Sequence, residues 1–409
     1  MSSGSSFVIV GASLAGAKAA EALRGEGFDG RVVLIGDERE RPYERPGLSK
    51  GYLLGKDERD KSFVHAESWY AEHDVELVLG NRVTGLDRAA HEVSFDSGER
   101  IGYTKLLLAT GVSPRRLKVD GVKLDGIHYL RRIGHSDQLR DAIRAGGRVV
   151  VVGAGWIGLE TAAAAREYGC EVTVIEPQET PLSAALGGEM GAFFASLHLR
   201  HGVDLRLGQS VSGFRGTDKV EAVLTEDGSE YAADVVVIGI GARPNTELAE
   251  QAGLAVDNGI AVDAAFRTDD TDVYAVGDVA NIQNPFYGEH LRVEHWDNAL
   301  NGGPVAAKSM LGQEVSYDHL PYFFTDQYDV GMEFSGWIGN GYDQLVTRGD
   351  VEKQEFHAFW LADRRVIAGM HINQWDDGIK PTQELIRSKK QVDAAKLADP
   401  NTPLSDVQA

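Results

Sequence analysis

Two glycine-rich turns carry the most specific chemical signal in the sequence. The first reads Gly11-Ala-Ser-Leu-Ala-Gly16, and the second reads Gly153-Ala-Gly155-Trp-Ile-Gly158. Each turn follows a β-branched run and precedes an alanine-rich stretch, which is the strand–turn–helix context of a dinucleotide site. The first glycine permits a tight bend, the last lets the helix pack closely on the strand, and free N–H groups at the helix start bind a pyrophosphate.

An acidic side chain is expected at the end of the strand that follows each turn, where it binds a ribose diol. Asp37 stands there in the first unit, and Ser13 occupies the middle of that turn, where glycine is usual. Glu176 stands there in the second unit, with no Arg or Lys in residues 177–179 to hold a 2′-phosphate. The second site is therefore predicted to bind NADH rather than NADPH. Its candidate residues are Gly153, Gly155, Ile157, Gly158, Glu176 and Gly241.

Three further strings deliver glycine at the end of an apolar run. They are residues 106–111, ending in Ala109-Thr110-Gly111, residues 235–241, ending in Gly239-Ile-Gly241, and residues 274–280, containing Gly277-Asp278. The Asp278 carboxylate could accept hydrogen bonds from a ribityl hydroxyl, and the alternative is that it caps the next helix. Two nucleotide sites in one chain indicate a flavin nucleotide, FAD, together with a nicotinamide nucleotide.

A single cysteine restricts the redox chemistry. Cys170 alone excludes an intramolecular disulfide, a Cys-pair redox centre and a thiolate-rich metal site. It precedes a predicted strand of the second unit, so we expect a small buried residue. The 12 His residues show no spacing typical of metal ligands, and no metal is predicted. Electrons are therefore expected to leave the flavin directly, after a hydride transfer that depends on positioning more than on acid–base chemistry.

The elements that position these motifs alternate strand and helix, which is typical of βαβ units on parallel sheets. The pattern predicts strands at residues 7–10, 31–35, 148–152 and 171–175 and helices at 15–24 and 159–168. The two units begin 142 residues apart, from Gly11 to Gly153, which indicates duplication of a nucleotide-binding fold. Beyond residue 317, the pattern predicts an antiparallel meander (344–348, 355–361, 366–370), a helix around Leu385 and Ile386, and an irregular tail at 399–409.

The predicted fold class is α/β, with two Rossmann-like dinucleotide-binding domains and a C-terminal α+β domain. The FAD-binding domain is predicted to be discontinuous, over residues 1–112 and 246–318. The NAD-binding domain is predicted over 113–245 and the C-terminal domain over 319–409. A chain of this length suggests two or three domains, and the two turn motifs favour three.

Charge and hydropathy exclude several classes of protein. The chain has 41 Lys and Arg against 62 Asp and Glu, a net charge of −21, so no nucleic-acid partner is predicted. No apolar run approaches the roughly 18 residues of a membrane span, and residues 1–6 lack the positive charge of a signal peptide. We therefore expect a cytoplasmic protein without a membrane partner. Glycine is enriched, at 48 of 409 residues or about 12%, against an average of about 7%.

The whole chain resembles the FAD-dependent NADH:ferredoxin reductases of bacterial oxygenase systems. The matching strings extend from residue 8 into the C-terminal domain: residues 8–16, 34–37, 41–46, 48–50, 109–111, 151–160, 239–245, 276–278 and 326–328. The resemblance implies that FAD contacts Ala15, Asp37, Lys50, Val83, Arg131, Asp278 and Trp296, and that Arg45 meets its pyrophosphate.

The resemblance also implies that Lys50 lies near flavin N5 and pairs with Glu160, and these two are the candidate catalytic residues. Trp296 would precede a helix over residues 297–310 whose positive end stabilises charge at flavin N1. Three departures from the family pattern stand out. Gly47 replaces a common proline and is expected to loosen its loop, Phe324 stands where many relatives have Trp, and Gly302-Gly303 suggests a flexible helix start.

By the same resemblance, the electron acceptor is a [2Fe–2S] ferredoxin, or alternatively rubredoxin, that feeds a cytochrome P450 or a Rieske-type dioxygenase. Two other functions stay open: an NADH reductase of a small acceptor such as quinone or oxygen, and a flavoprotein scaffold resembling apoptosis-inducing factor. Because such ferredoxins are acidic, docking requires a local basic patch. The candidates are Arg41, Arg364, Arg365, Lys389 and Lys390.

Overall fold

The computed structural model describes residues 4–376 and 378–409. Residues 1–3, which the sequence assigned to the N-terminal segment and the FAD-binding domain, lie outside the described residues. The strands, in chain order, are β1 Ser6–Val10, β2 Arg31–Gly36, β3 Val75–Leu79, β4 Val83–Asp87, β5 Glu92–Phe95, β6 Arg100–Gly102, β7 Lys105–Leu108, β8 Val112–Pro114, β9 Ile127–His128, β10 Arg148–Val152, β11 Glu171–Glu176, β12 Asp204–Leu207, β13 Val211–Gly216, β14 Val220–Thr225, β15 Glu230–Ala232, β16 Val235–Ile238, β17 Ala242–Pro244, β18 Ile260–Val262, β19 Val273–Ala275, β20 Ala280–Asn284, β21 Glu289–Arg292, β22 Tyr322–Gln327, β23 Val330–Gly336, β24 Gln344–Asp350, β25 Glu355–Ala362 and β26 Arg365–Ile372.

Most helices lie between strands in chain order, and the last two follow the C-terminal sheet. The α-helices are α1 Leu14–Gly25, α2 Glu67–Glu72, α3 Ile133–Arg144, α4 Trp156–Glu167, α5 Ser183–Leu186, α6 Gly188–Arg200, α7 Glu247–Gln251, α8 Trp296–Met310, α9 Lys380–Ser388 and α10 Ala394–Ala398. Short 3₁₀ helices lie at Pro46–Ser49, Arg59–Ser62, Gly277–Val279 and Leu404–Asp406. Among the described residues, no helix is both long enough and apolar enough to cross a membrane.

The described chain forms two compact units, each built from separate segments. The first unit comprises Met1–Arg45, Arg59–Ser113 and Arg243–Pro321, of which residues 1–3 are not described. The second comprises Pro46–Glu58, Pro114–Ala242 and Tyr322–Ala409. Residues 46–58, which the sequence assigned to the FAD-binding domain, therefore belong to the second unit. The division of the second unit into a NAD-binding and a C-terminal domain stays a prediction.

The core of the first unit is a five-stranded parallel sheet in the order β19-β7-β1-β2-β3. Its central strand is buried on both faces, as the apolar run at residues 7–10 predicts, with Phe7, Val8 and Ile9 fully inside. Helix α1 follows β1 directly and buries its alanine-rich side. The predicted strands and the helix at 15–24 are confirmed to within a residue or two.

The second unit repeats this arrangement with the order β12-β11-β10-β16-β9, again all parallel. Its central strand, β10, starts at Arg148 and ends at Val152, as predicted. Helix α4 begins at Trp156, three residues before the predicted start, because the last residues of the glycine turn already form its first turn. The duplicated α/β architecture predicted from the sequence is therefore present.

Gly302 and Gly303 allow close packing of α8 against α1 and Phe266 within the first unit. A Cβ at Gly303 would lie 2.5 Å from the Ala15 carbonyl oxygen on α1, and one at Gly302 would lie 3.1 Å from the Phe266 ring. Both glycines are buried within a continuous helix that also contains Pro304. The missing Cβ atoms serve helix–helix contact at this position, and the flexible helix start stays a prediction.

The C-terminal sheet is antiparallel, in the order β22-β23-β26-β25-β24. The predicted meander is confirmed as β24, β25 and β26, and the predicted helix is α9. The sequence did not resolve β22 and β23, because Tyr322-Phe-Phe324 is a contiguous aromatic run without the alternation of a half-buried strand. Trp360 lies fully buried in this sheet, and its Nε1 donates to the Leu186 carbonyl at 3.1 Å.

Cys170 is a buried structural residue of the second unit, as predicted. Its thiol is 0% exposed and donates to the Ile143 carbonyl at 3.2 Å. Burial raises the pKa of the thiol, although Arg166 partly opposes this shift. A protonated and enclosed thiol is a poor nucleophile, so the cysteine is placed for packing and not for redox exchange.

Arg348 fastens the C-terminal segment, which has little regular structure but is not loose. Its guanidinium donates to four carbonyl oxygens, those of Leu397 (3.3 Å), Asp399 (2.6 Å), Pro400 (3.1 Å) and Thr402 (2.8 Å). The buried side chain of Val407 holds the segment further along. The irregular tail predicted at 399–409 is therefore irregular in backbone but fixed in place.

We predict that Arg348→Met loosens this segment without unfolding the sheet, because four carbonyls lose their charged donor. A hydrogen bond to a charged group contributes about 1.5–3 kcal/mol. Because the four bonds share one guanidinium and the freed carbonyls can bind water instead, a net loss of roughly 2 kcal/mol, about that of one such bond, is expected. Amide hydrogen exchange at residues 399–409 should accelerate about 30-fold, the factor that corresponds to roughly 2 kcal/mol. The control is Arg206→Met, which removes an exposed arginine paired with Asp204 on β12. Equal exchange rates at residues 399–409 in the two variants would show that Arg348 does not hold the C-terminal segment.

Candidate functional site

The first glycine turn joins β1 to α1 and has a backbone that only glycine accommodates at its ends. Gly11 has a φ of +127°, and a Cβ there would lie 2.0 Å from the Ala109 carbonyl oxygen. A Cβ at Gly16 would lie 2.1 Å from the Gly11 carbonyl oxygen. The turn and the start of α1 therefore approach the strand ends closely. Their free N–H groups fit the pyrophosphate of a dinucleotide.

The second turn, between β10 and α4, repeats this geometry. Gly153 has a φ of +100°, and a Cβ there would lie 2.4 Å from the Gly239 carbonyl oxygen. A Cβ at Gly158 would lie 2.1 Å from the Gly153 carbonyl oxygen, whereas a Cβ at Gly155 would meet nothing within 4 Å. The outer glycines thus serve the fold, and the middle one leaves space for the pyrophosphate of a ligand to approach the protein backbone. This is the division of roles expected of a dinucleotide turn.

Glu176 lies beside the second turn, at the end of β11. Its Oε2 accepts a hydrogen bond from the Ala154 amide at 2.7 Å, and its Oε1 accepts one from the Gln178 amide at 3.0 Å. The carboxylate is therefore held at the turn by backbone donors. Ile157, in the same motif, is 45% exposed on α4. Strand β16 is a neighbour of β10 in the sheet, and Gly241, with a φ of +92°, lies in the loop after β16.

Arg45, Glu38 and Asp278 form a charged group in the first unit. Arg45 Nη2 donates to Glu38 Oε1 at 2.8 Å, and Tyr43 Oη donates to Glu38 Oε2 at 2.6 Å. Burial would lower the pKa of the Arg45 guanidinium, but Tyr43, Glu38 and Asp278 together raise it. The guanidinium therefore stays charged, as phosphate binding requires. Asp37 is exposed at the end of β2, next to this group.

Trp296 is the first residue of α8, and its Nε1 donates to Glu44 Oε2 at 2.9 Å. Asp278 lies in the 3₁₀ turn Gly277–Val279, after β19, and Gly277 there has a φ of +77°. Val83 begins β4 and is 6% exposed. These FAD candidates lie in the first unit with the other members of the set: Gly11, Ser13, Ala15, Gly16, Asp37, Arg45, Ala109, Thr110 and Gly111. The remaining two, Lys50 and Arg131, belong to the second unit.

Lys50 and Glu160 meet in a buried polar cluster of the second unit. Lys50 Nζ lies 2.7 Å from Glu160 Oε1, with 14% and 4% of the two side chains exposed. Thr325 Oγ1 donates to Oε1 at 2.6 Å, and Ser49 Oγ donates to Oε2 at 2.5 Å. Both carboxylate oxygens thus accept hydrogen bonds. The pairing implied by the resemblance is present in the protein, and its catalytic role stays a prediction.

Two departures from the family pattern lie close to this cluster. The Gly47 carbonyl accepts hydrogen bonds from the Lys50 and Tyr52 amides, both at 3.0 Å, so the loop before Lys50 is held by its own backbone. The effect of Gly47 on the looseness of this loop stays a prediction. Phe324, on β22, has its ring centroid 5.3 Å from Lys50 Nζ, within the range of a cation–π contact.

Four of the five docking candidates cluster, but far from Lys50. Arg364 lies in the turn before β26, and Arg365 is the first residue of that strand. The Arg364 carbonyl accepts from the Val392 amide, just beyond Lys389 and Lys390. The register aligns Thr325 with Met332 and Ile372, seven residues from Arg365 on β26. At about 3.3 Å per residue, the separation is roughly 23 Å. The docking role of these cations stays a prediction.

Arg41, the fifth docking candidate, lies in the first unit, with its guanidinium 3.5 Å from the Phe63 ring centroid. Within residues 4–376 and 378–409, no cluster of three or more His, Cys, Asp or Glu could hold a metal ion.

The fold and both turns define a flavin- and nicotinamide-dependent oxidoreductase built on two dinucleotide-binding units. The family model of the pyridine nucleotide-disulphide oxidoreductases matches residues 5–303, and the reductase C-terminal model matches residues 322–408. The chain therefore belongs to this family, and within it to the FAD-containing ferredoxin–NAD⁺ reductases that use NADH.

Individual relatives match over nearly the full length. The ferredoxin–NAD⁺ reductase component of the anthranilate 1,2-dioxygenase system from Burkholderia cepacia is 42% identical over 402 residues, 97% of this chain and 98% of that protein. Putidaredoxin reductase CamA from Pseudomonas putida is 36% identical, over 100% of this chain and 98% of that protein. The crystal structure of the covalent putidaredoxin reductase–putidaredoxin complex superposes with a TM-score of 0.95 at 35% identity, over 99% and 98% of the two chains.

Sequence reasoning missed several polar residues that surround Glu160. Ser49 and Thr325 donate to its carboxylate, and Gln327 and His198 continue the hydrogen bonding behind Thr325. Ser49 is adjacent to Lys50, and Gln327 lies in a string that matched the family, so the sequence offered a signal for both residues. His198 lies on α6 and gave no local signal, because its partner is 129 residues away.

The second turn predicts different outcomes for its last two glycines. Gly158→Ala places a methyl group 2.1 Å from a carbonyl oxygen, so it should lower the free energy of unfolding by about 1–3 kcal/mol, as overpacking typically does. Gly155→Ala should leave stability nearly unchanged, because the position is open and its φ of −78° suits alanine. It should instead raise KM for NADH. Urea denaturation and steady-state kinetics measure the two effects, and equal destabilisation by both substitutions would contradict the assigned roles.

Proposed function

We propose that the protein oxidises NADH and delivers single electrons to a [2Fe–2S] ferredoxin that serves a cytochrome P450 or a Rieske-type dioxygenase. Its place of action is the cytoplasm, where NADH is available. The observation that supports an external electron acceptor is the state of the chain's only cysteine. Cys170 is buried, and its thiol is hydrogen-bonded to a backbone carbonyl. Without a redox-active thiol, electrons pass to a separate carrier. The relatives named for oxygenase systems support a ferredoxin in that role.

FAD, when bound, supplies the chemistry by accepting a hydride from NADH and releasing electrons one at a time. The chain's own residues bind and orient the two nucleotides. In the first unit, the N–H groups of the Gly11–Gly16 turn and the Arg45 guanidinium bind the FAD pyrophosphate, Asp37 binds its ribose and Asp278 binds a ribityl hydroxyl. The remaining contacts to FAD come from Ser13, Ala15, Lys50, Val83, Ala109, Thr110, Gly111, Arg131, Gly277 and Trp296.

In the second unit, the turn around Gly155 binds the NADH pyrophosphate and Glu176 binds the adenine-side ribose. Lys50 is oriented by Glu160 and presents a fixed positive charge at the reacting end of the site. Because the pair is buried, its charges interact more strongly than exposed charges would. Rubredoxin, quinone and oxygen are the competing acceptors, and a partner-assembly scaffold is the competing role without turnover.

Steady-state turnover tests the acceptor. Purified holoenzyme with NADH should reduce cytochrome c slowly alone and much faster when a [2Fe–2S] ferredoxin is added. Rubredoxin, a soluble quinone and oxygen serve as parallel acceptors. A ferredoxin rate no higher than the rate without ferredoxin would overturn the ferredoxin assignment, and faster turnover with one of the other acceptors would identify the true one.

Nucleotide preference tests Glu176. Glu176→Arg should raise the ratio of kcat/KM for NADPH over NADH by about 10- to 100-fold, since a repulsive charge at the 2′-phosphate becomes an attractive one worth roughly 1.5–3 kcal/mol. The control is Glu176→Gln, which keeps an oxygen acceptor for the Ala154 amide but carries no charge. It should weaken NADH binding without favouring NADPH. An unchanged preference in the arginine variant would show that Glu176 does not face the ribose.

A further inference from the structure

A continuous chain of hydrogen bonds leads from Glu160 into the interior of the second unit. Thr325 Oγ1 lies 2.6 Å from Glu160 Oε1, and Gln327 Nε2 lies 3.2 Å from Thr325 Oγ1. Gln327 Oε1 lies 2.8 Å from His198 Nε2, and Tyr328 Oη lies 3.3 Å from His198 Nδ1. Thr325, Gln327 and His198 are each at most 1% exposed. Buried polar groups without a local structural partner call for an explanation, and none of these caps a helix or closes a turn.

The chemistry of the groups sets the direction of every bond in this chain. The carboxylate of Glu160, paired with Lys50, can only accept, so Thr325 must donate its single hydroxyl proton to it. The Thr325 oxygen then accepts from the Gln327 amide NH₂, which turns the amide oxygen toward His198. His198 must therefore carry its proton on Nε2 and accept from Tyr328 at Nδ1.

The state of His198 agrees with this direction. Burial lowers its pKa to about 4, so the imidazole is neutral at neutral pH and has one donor and one acceptor nitrogen. All bonds of the chain then point their protons toward Glu160. Aligned hydrogen bonds polarise one another, so the distant members strengthen the donor at the carboxylate.

We propose that Thr325, Gln327 and His198 are positioning residues that hold the Glu160 carboxylate oriented toward Lys50. They act through Glu160. The inference rests on the proposed role of the Lys50–Glu160 pair. Lys50 lies 2.7 Å from Glu160, and the Asp326 carboxyl interacts electrostatically with both: partial loss of solvent and Glu160 raise the pKa of Asp326, and Lys50 lowers it.

The test compares Thr325→Val, which is nearly isosteric but cannot donate, with Thr325→Ser, which restores the hydroxyl. Flavin reduction by NADH is followed in single turnover across pH with the holoenzyme. Thr325→Val should slow it about 10-fold at neutral pH, the loss expected for one hydrogen bond to a charged group. The acid limb of the plot of rate against pH should move to higher pH, because the Glu160 carboxylate of this variant has lost a hydrogen-bond donor that favours its charged form. Thr325→Ser should restore both the rate and the profile.

A second readout is independent of turnover. An infrared titration follows the carboxylate band that disappears in Glu160→Gln, and this band should be lost at higher pH in Thr325→Val and in Gln327→Leu. The matched control is Thr225→Val, another buried threonine of the second unit, whose hydroxyl donates to Asp227 at 2.6 Å. The control should alter neither the band nor the rate. Gln327→Leu keeps the test valid if Thr325→Val does not fold.

The outcomes separate this inference from the proposed function. If Glu160→Gln leaves flavin reduction unchanged, the proposed role of the Lys50–Glu160 pair is wrong, and the inference falls with it. If Glu160→Gln slows reduction but Thr325→Val and Gln327→Leu leave the rate, profile and infrared band unchanged, the inference alone is wrong. Failure of Thr325→Ser to restore the profile would also overturn it, since a structural defect would then explain the valine variant.

Discussion

A buried ion pair places the strongest constraint on the second unit. Lys50 and Glu160 are largely withdrawn from water, and removing one partner of such a pair typically costs about 3–5 kcal/mol because the other charge is left uncompensated. The loop after Pro46, helix α4 and strand β22 must therefore meet at one point, although their residues lie 111 and 165 positions apart. The hydrogen bonds from Ser49 and Thr325 satisfy the oxygens that the lysine alone cannot.

The glycine excess of the sequence has more than one physical origin. At Gly11 and Gly153, a positive φ and a neighbouring carbonyl oxygen leave no space for a Cβ, and the same turn is built twice because two dinucleotides impose the same requirement. At Gly303, the backbone is helical, and it is the close approach of α1 that excludes a side chain. Composition alone does not distinguish a turn that meets a ligand from a helix that meets another helix.

Sequence predictions succeeded where the signal was local. Strand β10 was located to the residue, because an apolar run that ends at glycine is a property of neighbouring positions. The start of α4 was placed three residues late, since the glycine turn and the first helical turn overlap. Strands β22 and β23 were not recognised, because contiguous aromatic residues carry no period of two. Among the site residues, Lys50 and Glu160 were connected only through the family resemblance, and His198 was not connected at all.

The sequence by itself determined the duplicated strand–turn–helix units, the acidic residues at their strand ends, the absence of a second cysteine and hence a flavin that must pass electrons outward. Tertiary structure alone decided that Ser49, Thr325, Gln327 and His198 converge behind Glu160, and that four candidate docking cations lie roughly 23 Å along the sheet from Thr325. The physical reason is the range of the interactions. Turn geometry depends on φ and on adjacent residues, whereas a buried polar network depends on which distant segments the core brings together.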